Sequence, residues 1–154
     1  MKIVGMIPAR MGSQRVKKKN VRLINGRPLI DYALESVYKS DIFDEVYINS
    51  EDEIFTDLAK NYGFNFYKRP EEFSSNTSTN DEFAQDFLLN IECDVLIQIL
   101  PTSPFLTETD IKKIHSTALD VLQNLGVGNP LPELLEAALR QGCSVNENGR
   151  LCFP

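Results

Sequence analysis

Histidine and paired cysteines are almost missing from this sequence. His115 is the only histidine among 154 residues, so the chain has little material for a histidine-centred metal site or a Ser/His/Asp triad. Cys93, Cys143 and Cys152 form no CxxC pair and are odd in number. This pattern argues against a zinc site or a disulfide framework and favours a reducing compartment.

Long apolar runs and two familiar phosphate-binding motifs are absent as well. The first apolar run, IVGMIPA, is too short for a signal peptide or a membrane span, so we predict a cytoplasmic protein with no membrane partner. Neither GxxxxGK[ST] nor GxGxxG occurs, which excludes the P-loop and dinucleotide-binding classes. A net charge of −6 argues against general nucleic-acid binding, which favours a basic surface.

One segment contrasts with this acidic composition. The stretch IPARMGSQRVKKKN, residues 7–20, follows the first apolar run, and six cations lie within thirteen residues: Arg10, Arg15, Lys17, Lys18, Lys19 and Arg22. For VKKK alone, a solvated basic loop is the simpler interpretation. A local cluster of cations on an acidic protein can, however, attract a small polyanion.

The residue types around these cations suit a phosphate-binding loop. Gly12 permits a positive φ and close approach to a ligand, Ser13 offers a hydroxyl, and consecutive loop N–H groups can form an anion-binding nest. Arg10, Arg15 and Lys19 can place positive charge around a triphosphate. Such donors favour a transition state that carries extra negative charge.

Hydrophobic periodicity predicts an α/β fold with a parallel sheet and helices on both faces. Strands are predicted at 2–7, 45–50, 64–70 and 93–100, and helices at 29–39, 51–63, 81–91 and 107–126. The most apolar strand, 93–100, is expected at the centre of the sheet. Ligands bind beyond the carboxyl ends of such strands, so the basic segment and the polar loops NSED, RP…NTS and PTSP should converge on one site.

The last residues, 128–154, differ from this pattern. They predict a helix that opens at Pro130 or Pro132 and continues to about residue 141, then a stop at Gly142 and a strand-like RLCFP. No cluster of polar residues suggests a site there. A proline directly after an apolar run gives the impression of a cut end, so we expect a truncated domain.

The basic segment closely resembles the opening motif A-R-x-G-S-x-R…K-N of the sugar cytidylyltransferases. It is most similar to the acylneuraminate branch, the CMP-sialic acid and nonulosonic acid cytidylyltransferases. The resemblance continues through NGRPLIDYALESV, INSED, AKNYGF, KRPEEFSSNTS and LPTSPFLTETDI, and covers about residues 1–114. It implies a Rossmann-like three-layer sandwich of the nucleotide-diphospho-sugar transferase type.

The resemblance also implies a reaction and a set of site residues. CMP would pass from CTP to the anomeric hydroxyl of a sialic-acid-like sugar acid, and pyrophosphate would leave. Lys19 and Arg10 would be catalytic, and Arg69, Ser78 and Asn80 would recognise cytosine and ribose. The implied nucleotide contacts are Ala9, Arg10, Gly12, Ser13, Arg15, Lys19, Asn20, Arg69, Ser78 and Asn80. Mg²⁺ and a homodimer are implied too.

The chain departs from the family pattern at two places. Leu100 stands where the family commonly has Gln, and Asn49-Ser50-Glu51 stands where it often has Ser-Thr-Asp. Glu51 and Asp52 could be Mg²⁺ ligands, but acids in the first turn of a helix are ordinary capping residues, and we favour that interpretation. The aspartates with which the family binds its metal lie in a later strand, and nothing after residue 114 matches them.

Several alternatives stay open at this point. We expect a nucleotide-binding domain at 1–117 and a non-matching helical tail at 118–154, which weakly resembles the start of a trimethylamine methyltransferase-like domain. A 3-deoxy-manno-octulosonate cytidylyltransferase is the alternative within the class, although VKKKN does not fit that sister family's usual continuation. A non-catalytic CTP-binding module and an interaction protein with an acidic partner are the alternatives outside it.

Overall fold

A computed structural model describes residues 1–13, 15–75 and 77–154. Its elements, in chain order, are β1 (Ile3–Pro8), β2 (Leu23–Ile24), β3 (Arg27–Pro28), α1 (Leu29–Ser40), β4 (Glu45–Ser50), α2 (Thr56–Asn61), β5 (Asn65–Lys68), α3 (Asn80–Asn90), β6 (Val95–Gln98), α4 (Glu108–Asp120), α5 (Pro132–Arg140), β7 (Ser144–Val145) and β8 (Leu151–Cys152). Short 3-10 turns lie at Lys19–Val21, Glu53–Phe55 and Glu71–Ser74, and a π turn at Val121–Leu125.

Four parallel strands form the main sheet in the order β5-β4-β1-β6. The prediction of a parallel α/β sheet is therefore confirmed. The prediction that residues 93–100 form a central strand is wrong, because β6 pairs with β1 alone in the described sheet and lies at its edge. An apolar run indicates that both faces of a strand are covered by other residues. It does not indicate whether other strands pair with its two edges.

Apolar side chains cover both faces of the sheet. Along β1, Ile7 points to one face, whereas Val4 and Met6 point to the other, as the alternation of a strand requires. The first face packs against α1 and α2, and the second against Phe83 and Phe87 of α3. This arrangement confirms the three-layer sandwich.

The helix predicted at 29–39 is confirmed, and the turn before it is more structured than expected. Leu29, Ile30, Ala33, Leu34 and Val37 of α1 are buried at helical spacing. Before α1, the strands β2 and β3 form a small antiparallel hairpin. Its two turn residues, Asn25 and Gly26, have φ values of 50° and 78°, which suits the tight turn that Asn-Gly favours.

Some predicted elements are shorter in the structure. Residues 51–63, predicted as one helix, form a 3-10 turn at Glu53–Phe55 and then the six-residue α2. The Asp52 side chain accepts the Ile54 N–H and caps this turn. The helix predicted at 107–126 divides into α4 and the following π turn.

The chain divides into two compact units, Met1–Ile111 and Lys112–Pro154. In the second unit, Gly126 has a φ of 74°, and a Cβ there would lie 2.6 Å from the Leu151 carbonyl oxygen. The Arg150 guanidinium donates to the carbonyls of Leu125 and Gly126. Close backbone contacts therefore organise this unit. The boundary predicted at residue 117 stays a prediction.

Within the described ranges, no helix combines the length and the apolarity that crossing a membrane requires.

Candidate functional site

A cavity of about 250 Å³ opens at the carboxyl end of the parallel sheet in the first unit. Pro8 ends β1, Arg69 follows β5, and Leu100 lies just beyond β6, so three strand ends contribute to its wall. Its lining residues are Pro8, Arg10, Ser13, Lys19, Asn20, Arg69, Asn80, Phe83, Leu100, Pro101 and Thr102. This is the position where α/β sheets bind their ligands.

The structure brings six of the ten predicted nucleotide contacts together around this cavity: Arg10, Ser13, Lys19, Asn20, Arg69 and Asn80. They come from three parts of the chain, the basic segment, the residue after β5 and the first residue of α3. Thr79 and Glu82 form a capping box at the start of α3, which fixes the backbone beside Asn80. The helix predicted at 81–91 is confirmed and begins at Asn80, while Asn76 lies outside the described residues.

Hydrogen bonds from distant residues hold the start of the basic segment. The Ala9 N–H donates to the Asn49 carbonyl at 3.0 Å, and the buried Asn20 donates its amide to the Arg10 carbonyl at 3.0 Å. The Arg10 guanidinium donates to the Ser75 carbonyl at 2.7 Å. Arg10 is thus oriented from both its backbone and its side chain, which reduces the entropy that a bound ligand would have to remove.

The cations of the basic segment are not paired with acidic side chains among the residues that the structure describes. Lys19 begins a 3-10 turn and is partly buried, directly after Lys18, whose φ of 52° is unusual for a residue with a side chain. None of the six cations between Arg10 and Arg22 forms a salt bridge with a described residue, although eight salt bridges occur elsewhere. No salt bridge with a described acid therefore competes with a ligand for these cations.

Arg69 is a buried cation in the cavity wall. Its side chain is only 3% exposed, and it donates through Nε to Asn49 Oδ1 at 2.6 Å and through Nη2 to the Asn49 carbonyl at 2.8 Å. The guanidinium also lies over the Phe83 ring, 4.1 Å from the ring centroid. Burial lowers the pKa of Arg69 to about 10, and the charge of Glu51 opposes that shift. Arg69 is therefore charged at neutral pH and rigidly oriented.

Sequence reasoning missed Asn49 and Phe83, which orient Arg69. The departure at Asn49 from the family pattern was visible in the sequence, but the contact depends on a register that places Asn49 beside Pro8. Phe83 was visible only as one apolar position of a predicted helix. No sequence signal connects either of them to Arg69.

Four predicted contacts do not line the cavity. Ala9 is fully buried at the end of β1, Arg15 is exposed, and the Ser78 hydroxyl bonds to Ser75 and to the Glu72 carbonyl. Gly12 does not have the positive φ expected of it, and a Cβ there would meet no described atom within 4 Å beyond its chain neighbours. The positive φ that glycine permits is therefore not adopted at Gly12, and its role as a nucleotide contact stays a prediction.

The loop N–H groups are also partly engaged. Met11 N–H donates to Glu51 Oε1 at 2.8 Å, and Ser13 N–H donates to the Met11 carbonyl at 2.9 Å. These two donors are therefore used within the protein and are not available to the anion-binding nest that the sequence suggests.

Acidic residues do not form a metal site in the part of the chain that the structure describes, because no three His, Cys, Asp or Glu side chains gather there. Asp52 is a capping residue, as predicted. Glu51 has a different position, since one of its oxygens accepts the Met11 N–H. The described residues therefore do not show which side chains would hold the Mg²⁺ that the resemblance implies.

Comparison with known proteins agrees with this geometry. The sequence profile of the family described as Cytidylyltransferase matches residues 4–124. The chain belongs to the cytidylyltransferase family. It is 34% identical over 113 residues to an N-acylneuraminate cytidylyltransferase of Escherichia coli, and this match covers 71% of the chain and 26% of that protein. It is 28% identical over 160 residues to a CMP-N,N'-diacetyllegionaminic acid synthase of Legionella pneumophila, and this match covers 100% of the chain and 67% of that protein.

A solved structure shows the same fold. A CMP:2-keto-3-deoxy-manno-octonic acid synthetase complexed with CTP superposes with a TM-score of 0.67 at 21% sequence identity, and the match covers 78% of this chain and 48% of that one. The chain therefore spans about a quarter of the E. coli relative and about half of the solved synthetase.

Proposed function

We propose that the cavity binds CTP and that the protein transfers CMP from CTP to the anomeric hydroxyl of a sialic-acid-like sugar acid. The observation that carries this proposal is the set of three cations, Arg10, Lys19 and Arg69, around one cavity without a salt bridge to any described acid. A triphosphate is the kind of ligand that such a site attracts. Two of the relatives named above are a cytidylyltransferase and a CMP-sugar synthase for sugar acids of this class. Their names support CTP as the nucleotide.

The cavity residues fall into two groups by the part of CTP to which we assign them. Arg10, Ser13 and Lys19 are the groups for the triphosphate, whereas Arg69 and Asn80 are the groups for cytosine and ribose. The two guanidinium hydrogen bonds to Asn49 leave further N–H donors of Arg69 for a base. Ala9, Gly12, Arg15 and Ser78 stay predictions as nucleotide contacts.

In the proposed reaction the sugar's anomeric oxygen attacks the α-phosphorus. The bond between the α-phosphorus and the bridging oxygen breaks, pyrophosphate leaves with the electron pair, and the hydroxyl proton is released. Negative charge increases on the phosphate oxygens as this happens, and Lys19 and Arg10 would stabilise it. Because no metal site is formed by the described residues, we assign no step to Mg²⁺. The cytoplasmic location and the homodimer likewise remain predictions.

A second candidate is a CTP-binding module without catalysis. It is favoured by the lack of a gathered acidic site among the described residues. Transfer to 3-deoxy-manno-octulosonate is a third candidate, and the likeness to the solved synthetase, at 21% identity, supports only the shared fold.

Calorimetric titration of the chain with CTP, ATP, GTP and UTP, each with and without Mg²⁺, tests the proposal. We expect selective binding of CTP. No binding of any nucleotide, or equal binding of all four, would contradict the assignment of the cavity. A pyrophosphate-release assay with a sialic-acid-like sugar acid then separates the enzyme from the binding module, because only the enzyme releases pyrophosphate.

A further inference from the structure

Glu51 contacts the basic segment but is not part of the cavity wall. Its Oε1 accepts the Met11 N–H at 2.8 Å across a separation of 40 residues. Its own carbonyl accepts from the Lys68 ammonium at 2.7 Å, which ties the Glu51 backbone to the end of β5. The Met11 side chain packs against the buried cluster of α1 and α2. Met11 therefore faces the core while its neighbours Arg10 and Ser13 face the cavity.

The second oxygen of Glu51 is unusual. Oε2 is buried and has no hydrogen-bond partner, the only such side-chain atom among the described residues. A buried carboxylate oxygen without a donor is costly. Capping does not explain it, since Asp52 caps the following turn. This cost indicates that Glu51 has a role other than stabilising the local fold.

Charges from three elements surround this carboxylate and the buried Arg69. Glu51 and Asp86 of α3 favour the charged guanidinium, and Arg10 opposes it. Glu51 thus offsets part of the repulsion between Arg10 and Arg69. As a negative charge behind the cavity it should also repel a triphosphate, so electrostatics alone would select against it in a CTP site.

We propose that Glu51 is a positioning residue that holds the backbone of residues 10–13 through the Met11 N–H, so that Arg10 and Ser13 face the triphosphate. The inference rests on the proposed function, because it assumes that the triphosphate binds there. A backbone held in place before binding needs less ordering when the ligand arrives. This gain must exceed the repulsion between the Glu51 carboxylate and the phosphates.

The two effects of Glu51 predict opposite results for its removal. If the hydrogen bond to Met11 dominates, Glu51→Ala weakens CTP binding even though a negative charge is lost. Glu51→Gln keeps an acceptor for Met11 and should bind CTP within about threefold of the wild type. Glu53→Ala is the matched control, because Glu53 is an exposed acid two residues away that pairs with Lys68.

Calorimetric titration with CTP and with cytidine separates positioning from general damage to the fold. For Glu51→Ala we expect CTP affinity to fall at least tenfold and cytidine affinity to change less than twofold, because cytidine has no phosphates. Glu53→Ala should leave both affinities within twofold. Unchanged or tighter CTP binding by Glu51→Ala overturns the proposal, and so does an equal loss for cytidine. If that variant does not fold, Glu51→Asp, with its shortened side chain, should show the same selective loss.

Hydrogen–deuterium exchange without nucleotide distinguishes failure of this proposal from failure of the CTP assignment. Glu51→Ala should accelerate exchange in peptides that contain residues 10–13 and leave peptides of α1 unchanged, whereas Glu51→Gln should resemble the wild type. Equal exchange in Glu51→Ala and wild type overturns the positioning role. A wild-type chain that fails to bind CTP, but shows the expected exchange, overturns the CTP assignment alone.

Discussion

Charged side chains at the two ends of the parallel sheet differ in whether they are paired within the protein. At the amino ends of the strands, charges are paired within the protein: Asp94 and Asp44 accept the backbone N–H groups of Lys2 and Ile3, and Lys2 forms a salt bridge with Glu45 at 2.9 Å. At the carboxyl ends, Arg10, Lys19 and Arg69 surround the cavity, and none of them forms a salt bridge with a described residue.

This difference separates structural charges from charges available for a ligand. A paired surface charge gains little and is satisfied without a ligand. Neighbouring cations without partners repel one another and lower the stability of the fold, so their presence in one cavity points to an anionic ligand that compensates them. The acidic net charge of −6 strengthens the contrast, because the chain has many acids, yet none of the described ones lines the cavity or forms a salt bridge with its cations.

Removal of a cavity cation should give the largest effect. Lys19→Ala deletes one of three unpaired cations around the proposed triphosphate, and we expect CTP affinity to fall roughly 10- to 100-fold, about 1.4 to 2.7 kcal/mol. Thermal stability should be unchanged or slightly higher, because Lys19 forms no salt bridge that would be lost. Calorimetric titration and thermal unfolding measure the two quantities.

Lys17→Ala is the matched control for that experiment. Lys17 belongs to the same basic run but is exposed and does not line the cavity. Its removal should change CTP affinity less than twofold at physiological salt, where distant surface charges are screened. Equal effects of the two substitutions would show that the segment acts only as a diffuse positive surface.

Much of the fold and part of the candidate site could be predicted from the sequence. Apolar runs predicted the strands, and apolar residues at helical spacing predicted α1. Polar residues after the strand ends indicated where the candidate site lies. Arg10, Ser13 and Lys19 were identified because motif residues lie directly after β1 in the chain. Local order along the sequence was sufficient for these features.

The contacts that hold the site could not be predicted in the same way. Asn49 and Glu51 reach the basic segment because β4 pairs with β1 in a register that puts Asn49 beside Pro8, and hydropathy does not encode register between distant strands. The edge position of β6 was missed because apolarity reports covered faces and not strand neighbours. The backbone conformation at Gly12 could not be predicted either, because a glycine permits a positive φ without requiring it.

At the amino end of the sheet, a substitution should affect stability and leave binding unchanged. Asp44→Ala removes the acceptor of the Ile3 N–H, and we expect the free energy of unfolding to fall by about 1 kcal/mol. Urea denaturation measures the loss, with Asp57→Ala as the control because Asp57 is 94% exposed. CTP affinity should stay within twofold, and a larger change would break the separation between the two ends.

The smallest effect is a pH dependence at the same amino end. The Tyr47 hydroxyl and the Lys2 ammonium bond to Glu45 and hold the pKa of that carboxyl below its ordinary value of 4.5. Because the folded pKa lies below the unfolded one, this stabilisation is present above about pH 4.5 and is lost as the pH falls through the folded pKa. Glu45→Gln should therefore lower Tm by about 1 °C at pH 7 and by less at pH 3. A difference that persists or grows at pH 3 would show that Glu45 acts through packing, and the paired charges at this end would then not contribute to stability as proposed.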